Sequence, residues 1–385
     1  MKKFGSAISY ITADLIRLCK SCDKENYIEK RDRYLAAENQ PEGSFYHRLG
    51  FDEMMKIAGF VDRYLDSVTC ENEMKMGTCI NRGQPVFIND EVNTDLFNFS
   101  CADRVYTFAQ ENELDIRLHT IVWYRHFPGQ LAEYLENRTA EDRKKLTLAF
   151  IREYMQCLRD RYPNAYCVDV INEMAADPDE IRICQEEGLP VYAHDDEGIR
   201  IDDWYRLLGK HYYIDVFRLA REVFGDHVKL FYNDNNEGNR EKQRTIKTVV
   251  DQIRQYEQEH HVKLLDGFGM QSHFWGSEDE TKAYMEEAFS FYTGLGVEIQ
   301  ITEFDVCNHS TRAIQNAIFR DFIEVAQNFG IEVFTTWGLN DTLSWLHDDE
   351  ASLIDAHGDF KPFTQRYIDT FSNKYQKTLL SKPGN

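Results

Sequence analysis

Along Val297-Glu298-Ile299-Gln300-Ile301-Thr302-Glu303-Phe304-Asp305 apolar and polar residues alternate with the period of a strand, and the run ends on two carboxylates two residues apart. Side chains spaced by two on a strand share a face, so Glu303 and Asp305 are predicted to point together. Ala165 to Glu173 is a second apolar run that ends on an acid. Shorter runs over 4–8, 66–70, 115–123, 229–234, 267–273 and 332–337 read as further strands. Between them the apolar positions return at helical spacing. Met54, Met55, Ile57, Ala58, Phe60, Val61 and Leu65 make one face over 51–65, and Leu146, Phe150, Met155 and Leu158 make another over 142–161. Helices are likewise expected over 102–111, 204–224, 245–256, 280–291 and 313–329.

Eight strands, each followed by a helical stretch, imply an all-parallel sheet and, at that count, a (β/α)8 TIM barrel. No Gly/Ser-rich or Pro-rich linker divides the 385 residues. One domain is therefore expected over 1–375, with a C-terminal tail over 376–385. The polar runs 12–50 and 175–202 are expected as irregular insertions in enlarged βα loops.

Charge and cysteine usage narrow the partners. The formal net charge of -22, from 44 Lys+Arg against 66 Asp+Glu, argues against nucleic acid and anionic membrane surfaces. No run reaches the roughly 18 apolar residues of a membrane span, and the N-terminus has a weak secretory signature, so a cytoplasmic protein is expected. Nine cysteines, odd in number and irregularly spaced, read as free thiols rather than a disulfide framework. Cys19-Lys20-Ser21-Cys22 is a lone pair without a second. His260-His261 lacks a third ligand, and Gly267-Phe268-Gly269 lacks the rest of a dinucleotide loop.

The chemistry is written at the strand ends. His119, Trp123, Glu173, Asn233, Gln271, His273, Glu303 and Trp337 all fall at or just past the C-terminal end of a predicted strand, the rim that builds the active site of such barrels. Two carboxylates across one cleft are what glycoside hydrolysis needs, one to protonate the leaving oxygen and one to meet the positive charge at the anomeric carbon. A gap of about 5–5.5 Å gives retention, and roughly 6.5–9.5 Å gives inversion. Taken singly, each glutamate could be a solvated strand end. Asn172 could donate to a sugar 2-hydroxyl, and His273 with Asp305 could orient Glu303. Trp123, Trp337 and Trp345 offer flat faces for sugar rings.

These residues resemble glycoside hydrolase family 10, the endo-β-1,4-xylanases. Ile301-Thr302-Glu303-Phe304-Asp305 resembles that family's nucleophile strand and Asp169-Val170-Ile171-Asn172-Glu173 its acid/base strand. Glu71-Asn72-Glu73-Met74-Lys75, His119-Thr120-Ile121-Val122-Trp123, Asn233-Asp234, Gln271-Ser272-His273 and Trp337-Gly338 are similar to further family motifs in the same order. The resemblance runs from about Phe4 to Pro362. It implies Glu173 as acid/base and Glu303 as nucleophile of a retaining double displacement, with His273 bonded to Glu303 and Asp305 behind it. It also implies a glycone side lined by Asn72, Lys75, His119, Trp123, Asn172, Gln271, Trp337 and Trp345. No metal or organic cofactor takes part in that chemistry, and the implied substrate is a xylo-oligosaccharide. The alternatives are a β-glycanase of other specificity and a non-catalytic sugar-binding protein. The sequence departs from the family at Tyr124-Arg125-His126, where His-Ser-Gln is usual, and at Met76, Val168 and Asn235. These changes point to an intracellular enzyme that trims short oligosaccharides.

Overall fold

Eight parallel strands close into a barrel in the computed structural model, which describes residues 1–187 and 191–381. They are β1 (Lys3–Ile8), β2 (Ser67–Cys70), β3 (Asp115–Trp123), β4 (Ala165–Asn172), β5 (Lys229–Asp234), β6 (Gly267–Met270), β7 (Glu298–Val306) and β8 (Val333–Thr336). Each pairs with the next, and Phe334 on β8 stands opposite both Phe4 on β1 and Ile301 on β7, which closes the ring and leaves no open edge. Helices cover the outside, so the strands are buried on both faces and read as nearly continuous apolar runs. The expected TIM barrel is the observed one.

Several elements depart from expectation. Residues 12–50, expected as irregular, carry helices Tyr10–Ser21 and Lys24–Ala37 and a 3-10 turn at Phe45–Arg48. The first is capped by the Ser9 hydroxyl accepting from the Thr12 N–H. The second buries only Tyr27, Arg31 and Leu35, a stripe one residue wide with a charge at its centre, so its periodicity is faint. Arg31 is tolerated there because its Nη1 donates to the Leu49 carbonyl at 2.7 Å. The helix expected over 204–224 is two, Asp203–Leu208 and Tyr212–Phe224, because Gly209 takes φ 91° and ends the first. The strand expected over 267–273 is interrupted: β6 stops at Met270, Ser272 takes φ 60°, and His273–Phe274 then pairs with Asp305–Val306. Residues 175–202, expected as a loop, contain helix Pro178–Glu187 and the antiparallel bridges Ala175↔Ile199 and His194↔Arg200. Residues 188–190 of that run, and 382–385 of the expected tail, lie outside the described residues; 376–381 belong to helix Asn373–Ser381.

Strand parity changes near the barrel mouth. On β7, Ile301 stands opposite Phe334 but Phe304 opposite Thr336, three residues against two. On β4, Asp169 stands opposite Phe231 and Ile171 opposite Tyr232, two against one. Each is a bulge, which re-aims the side chains that follow it. Below the β7 bulge Gln300 and Thr302 face the barrel interior, where they meet Arg117 and Asn233. Above it Phe304 packs outward on Phe322 of helix Arg312–Asn328 at 4.4 Å, while Glu303 and Asp305 turn to the mouth.

The barrel floor is polar. Arg117 is 1% exposed and grips Asp169, itself fully buried, through both Nε and Nη2, while its Nη1 donates to Gln300 Oε1 at 2.7 Å. Asp169 Oδ2, which accepts from Arg117 Nε, also faces His119 Nδ1 at 3.0 Å. A second buried acid, Glu237, accepts the Ser272 N–H at 2.6 Å. Burial pushes its carboxyl up to about 7, although backbone N–H groups pull the other way. Its unfolded value is about 4.3, so the fold favours the protonated form and loses stability as pH rises from about 4 through about 7. Glu237→Gln keeps an acceptor for Ser272 and is expected to be more stable than the parent at pH 8 by roughly 1–3 kcal/mol, the gap closing by about pH 4. Urea melts at the two pH values check this, and an equal gap at both would refute it.

Candidate active site

Glu303 lies just past the β7 bulge and is 5% exposed. Its Oε1 accepts from Asn233 Nδ2 at 2.8 Å, and its Oε2 faces His273 Nε2 at 3.3 Å. The other ring nitrogen of His273 meets Asp305 Oδ1 at 2.8 Å, and Asp305 Oδ2 accepts from Trp345 Nε1 at 2.8 Å. The two acids placed on one face by their spacing thus hold the two nitrogens of one imidazole. Burial pushes the Glu303 carboxyl up, but His119, whose Nε2 is 3.9 Å from Oε1, together with His273 and Lys75 outweighs it and holds the group below the usual carboxylate range. Burial opposes a charged His273, yet Asp305 and Glu303 on either side keep it well above the ordinary histidine value.

Glu173 follows β4 and takes φ 54°. Its Oε2 accepts from Trp123 Nε1 at 2.8 Å and its Oε1 from Gln271 Nε2 at 3.0 Å. Three amides join the two glutamates. Gln271 Nε2 reaches Asn172 Oδ1 at 3.1 Å, and Asn233 Nδ2 reaches the same oxygen at 2.8 Å while bonding Glu303. Thr302 Oγ1 fixes the Asn233 orientation by donating to its Oδ1 at 2.7 Å. Gly269 makes room for that amide: a Cβ there would lie 2.2 Å from Asn233 Oδ1. With its oxygen taken twice, Asn172 has its NH2 left to offer a bound molecule.

The remaining sequence-predicted residues gather around this pair. Lys75 Nζ donates to Asn72 Oδ1 at 2.9 Å and sits 4.6 Å from the Trp123 ring and 5.8 Å from the Trp337 ring. Trp337 is buried against the His119 edge at 5.2 Å. The three tryptophans differ in what they can offer. His126 stacks on Trp123 at 5.0 Å, so this indole acts through its N–H on Glu173, whereas Trp345 is 46% exposed and presents an open face.

Beside His126, three more of the departures from the family pattern have visible work. Tyr124 Oη donates to Glu180 Oε1 at 2.7 Å, Arg125 Nη2 reaches the same oxygen, and Arg200 Nη2 reaches Oε2 at 2.9 Å with its guanidinium 3.9 Å over the Tyr124 ring. The 175–202 insertion is thereby tied to the residue after Trp123. Asn235 turns its oxygen to Lys242 Nζ, which pairs with Asp234 at 2.7 Å. Met76 and Val168 are core residues. Sequence reasoning missed Arg117 and Asp169 beneath the site and Glu180 and Arg200 beside it. Arg117 and His119, two apart on one strand, were the available signal for the first pair. No local signal existed for the second.

A parallel barrel with two hydrogen-bonded carboxylates at its C-terminal mouth defines the glycoside-cleaving class of site. The profile of glycosyl hydrolase family 10 matches residues 33–370, and the chain belongs to that family. It is 27% identical over 331 residues to endo-1,4-beta-xylanase A of Caldicellulosiruptor saccharolyticus, covering 80% of this chain and 86% of that one. It is 30% identical over 306 residues to endo-1,4-beta-xylanase A of Thermotoga neapolitana, covering 75% of this chain but 26% of that longer protein. Among solved structures, an endo-1,4-beta-xylanase from Caldicellulosiruptor owensensis superposes with a TM-score of 0.68 at 22% identity, covering 96% of both chains. TsXylA, an intracellular xylanase from Thermoanaerobacterium saccharolyticum, superposes with a TM-score of 0.62 at 21% identity over 80% of this chain and 88% of that one.

Proposed function

We propose that the protein is a retaining endo-1,4-β-xylanase that hydrolyses xylo-oligosaccharides, with Glu303 as nucleophile and Glu173 as acid/base. The observation that carries this reading is the amide chain Gln271–Asn172–Asn233, which holds both carboxylates at one mouth with each oxygen pair directed by named donors. Glu303 is kept ionised by His119, His273 and Lys75 despite its burial, which suits attack on the anomeric carbon. Glu173 would first donate its proton to the leaving oxygen and then take one from the water that releases the glycosyl-enzyme. The Asn172 NH2 supplies a donor for the sugar 2-hydroxyl, Lys75 and Asn72 supply further polar contacts, and exposed Trp345 supplies a stacking face. The names of the sequence relatives support xylan as the substrate class, as does a related solved structure in complex with xylotriose. An intracellular setting is supported by nine cysteines that are all free, five of them buried and four half-buried.

The test separates the two glutamates. Glu173→Ala is expected to lower kcat/KM on xylotetraose by about 10³-fold or more, because its leaving group needs the proton. An aryl β-xylobioside with a good leaving group should form the glycosyl-enzyme at a rate much closer to the parent's and give a burst. Equal losses on both substrates would remove the acid/base assignment. No turnover of either by the parent enzyme, or preference for cello-oligosaccharides, would remove the xylanase reading itself.

A further inference from the structure

We propose that Cys307, His309 and Asp349 form a binding site for a zinc-class divalent ion, and that the ion ties the loop after β7 to the loop after β8. One ligand atom from each of the three lies within 4.8 Å of the other two, and His309 Nε2 is 3.5 Å from Asp349 Oδ1. Among the described residues this is the one group of three such side chains that converges so closely. A tetrahedral zinc centre with bonds of about 2.0–2.3 Å holds its ligand atoms roughly 3.3–3.6 Å apart. Closing from the present spacing takes about an ångström of movement from two side chains that are free to give it, His309 and Asp349 being 49% and 34% exposed.

The backbone that carries the ligands is already fixed. The Val306 N–H donates to the Ala351 carbonyl at 3.0 Å, and Gln315 Nε2 bridges the Val306 and Glu350 carbonyls at 2.7 and 2.9 Å, so the two loops are pinned side by side just behind Cys307 and Asp349. The Cys307 N–H is bonded to the Phe274 carbonyl at 2.7 Å, and the His309 ring is stacked on Trp275 at 5.6 Å. The donor set decides the ion. A thiolate with an imidazole and a carboxylate suits zinc and its neighbours, not magnesium or calcium, which take oxygen ligands. Three protein ligands leave a fourth position for water, and binding releases the thiol proton to solvent. The placement gives the ion a consequence. Cys307 is two residues past Asp305, and Asp349 is four past Trp345, whose indole N–H holds Asp305. An ion here would clamp the open loop of Trp345 against the strand that carries Glu303.

The metal-free protein should be titrated with Co²⁺ and, separately, with Zn²⁺ and Mg²⁺. The expected result is a near-ultraviolet thiolate-to-cobalt band at one equivalent that is lost in Cys307→Ser, and a Tm rise of roughly 3 °C in Zn²⁺ at a hundredfold excess over Kd. Mg²⁺ should give neither. His309→Ala and Asp349→Ala replace partly exposed side chains, so they should fold even if the buried Cys307→Ser does not, and each should abolish the Zn²⁺ shift. Absence of the cobalt band, its persistence in Cys307→Ser, or a Zn²⁺ shift unchanged in His309→Ala would overturn the proposal.

Discussion

Glu303→Ala is expected to lower kcat by at least about 10⁴-fold on xylotetraose and on an aryl β-xylobioside alike, since without a nucleophile no leaving group is good enough to rescue the first step. The contrast with Glu173→Ala, where the leaving group matters, is the signature of two distinct roles. Stability should change little, because the partners of the lost carboxylate, His119, His273 and Lys75, are each held by others: Asp169, Asp305 and Asn72. Steady-state assays beside a thermal melt measure both quantities. A variant that keeps a hundredth of the parent's activity would show that Glu303 is not the attacking group.

The largest stability effect is expected from Asp169→Ala. Arg117 would remain in the barrel floor with Gln300 and the Cys167 sulfur as its surviving hydrogen-bond partners in place of a carboxylate on two of its nitrogens, and His119 would lose the acceptor on Nδ1. An uncompensated buried charge costs about 3–5 kcal/mol, which corresponds to a fall in Tm of about 4–6 °C in a chain of this size. Activity should fall as well, since the His119 ring that faces Glu303 would be free to turn. The double change Arg117→Met with Asp169→Leu removes both charges and should recover much of the stability. If the double variant were no more stable than the single one, the cost would lie in packing and not in the orphaned guanidinium.

Much of the barrel was legible because strand and helix periods alternate cleanly, and the rim was legible because polar residues recur at the ends of apolar runs. The helix over Lys24–Ala37 was not, because its buried stripe of Tyr27, Arg31 and Leu35 is too narrow to mark a period. The break at Gly209 was hidden inside an otherwise continuous amphipathic pattern, and only its φ of 91° reveals it. Within the site, Glu303 and Asp305 could be placed on one face from spacing alone. Their shared imidazole, His273, could be named from a strand end but not connected by distance. The Glu180–Arg200 contact with Tyr124 joins segments more than fifty residues apart through charges that look, in sequence, like an ordinary acidic loop. The proposed ion site was likewise invisible, since Cys307 and Asp349 approach only because β7 and β8 are neighbours in the ring.

The bulges on β4 and β7 split the barrel into two storeys that count residues differently. In the lower storey Gln300 and Thr302 share the inside; in the upper one Glu303 and Asp305 do. Were the same residues run in unbroken alternation with no bulge between Ile301 and Phe304, Glu303 and Asp305 would turn into the greasy layer beneath helix Arg312–Asn328 and the Phe304 ring into the cleft. The extra residue at that one point, more than the identity of any neighbour, keeps both acids at the mouth.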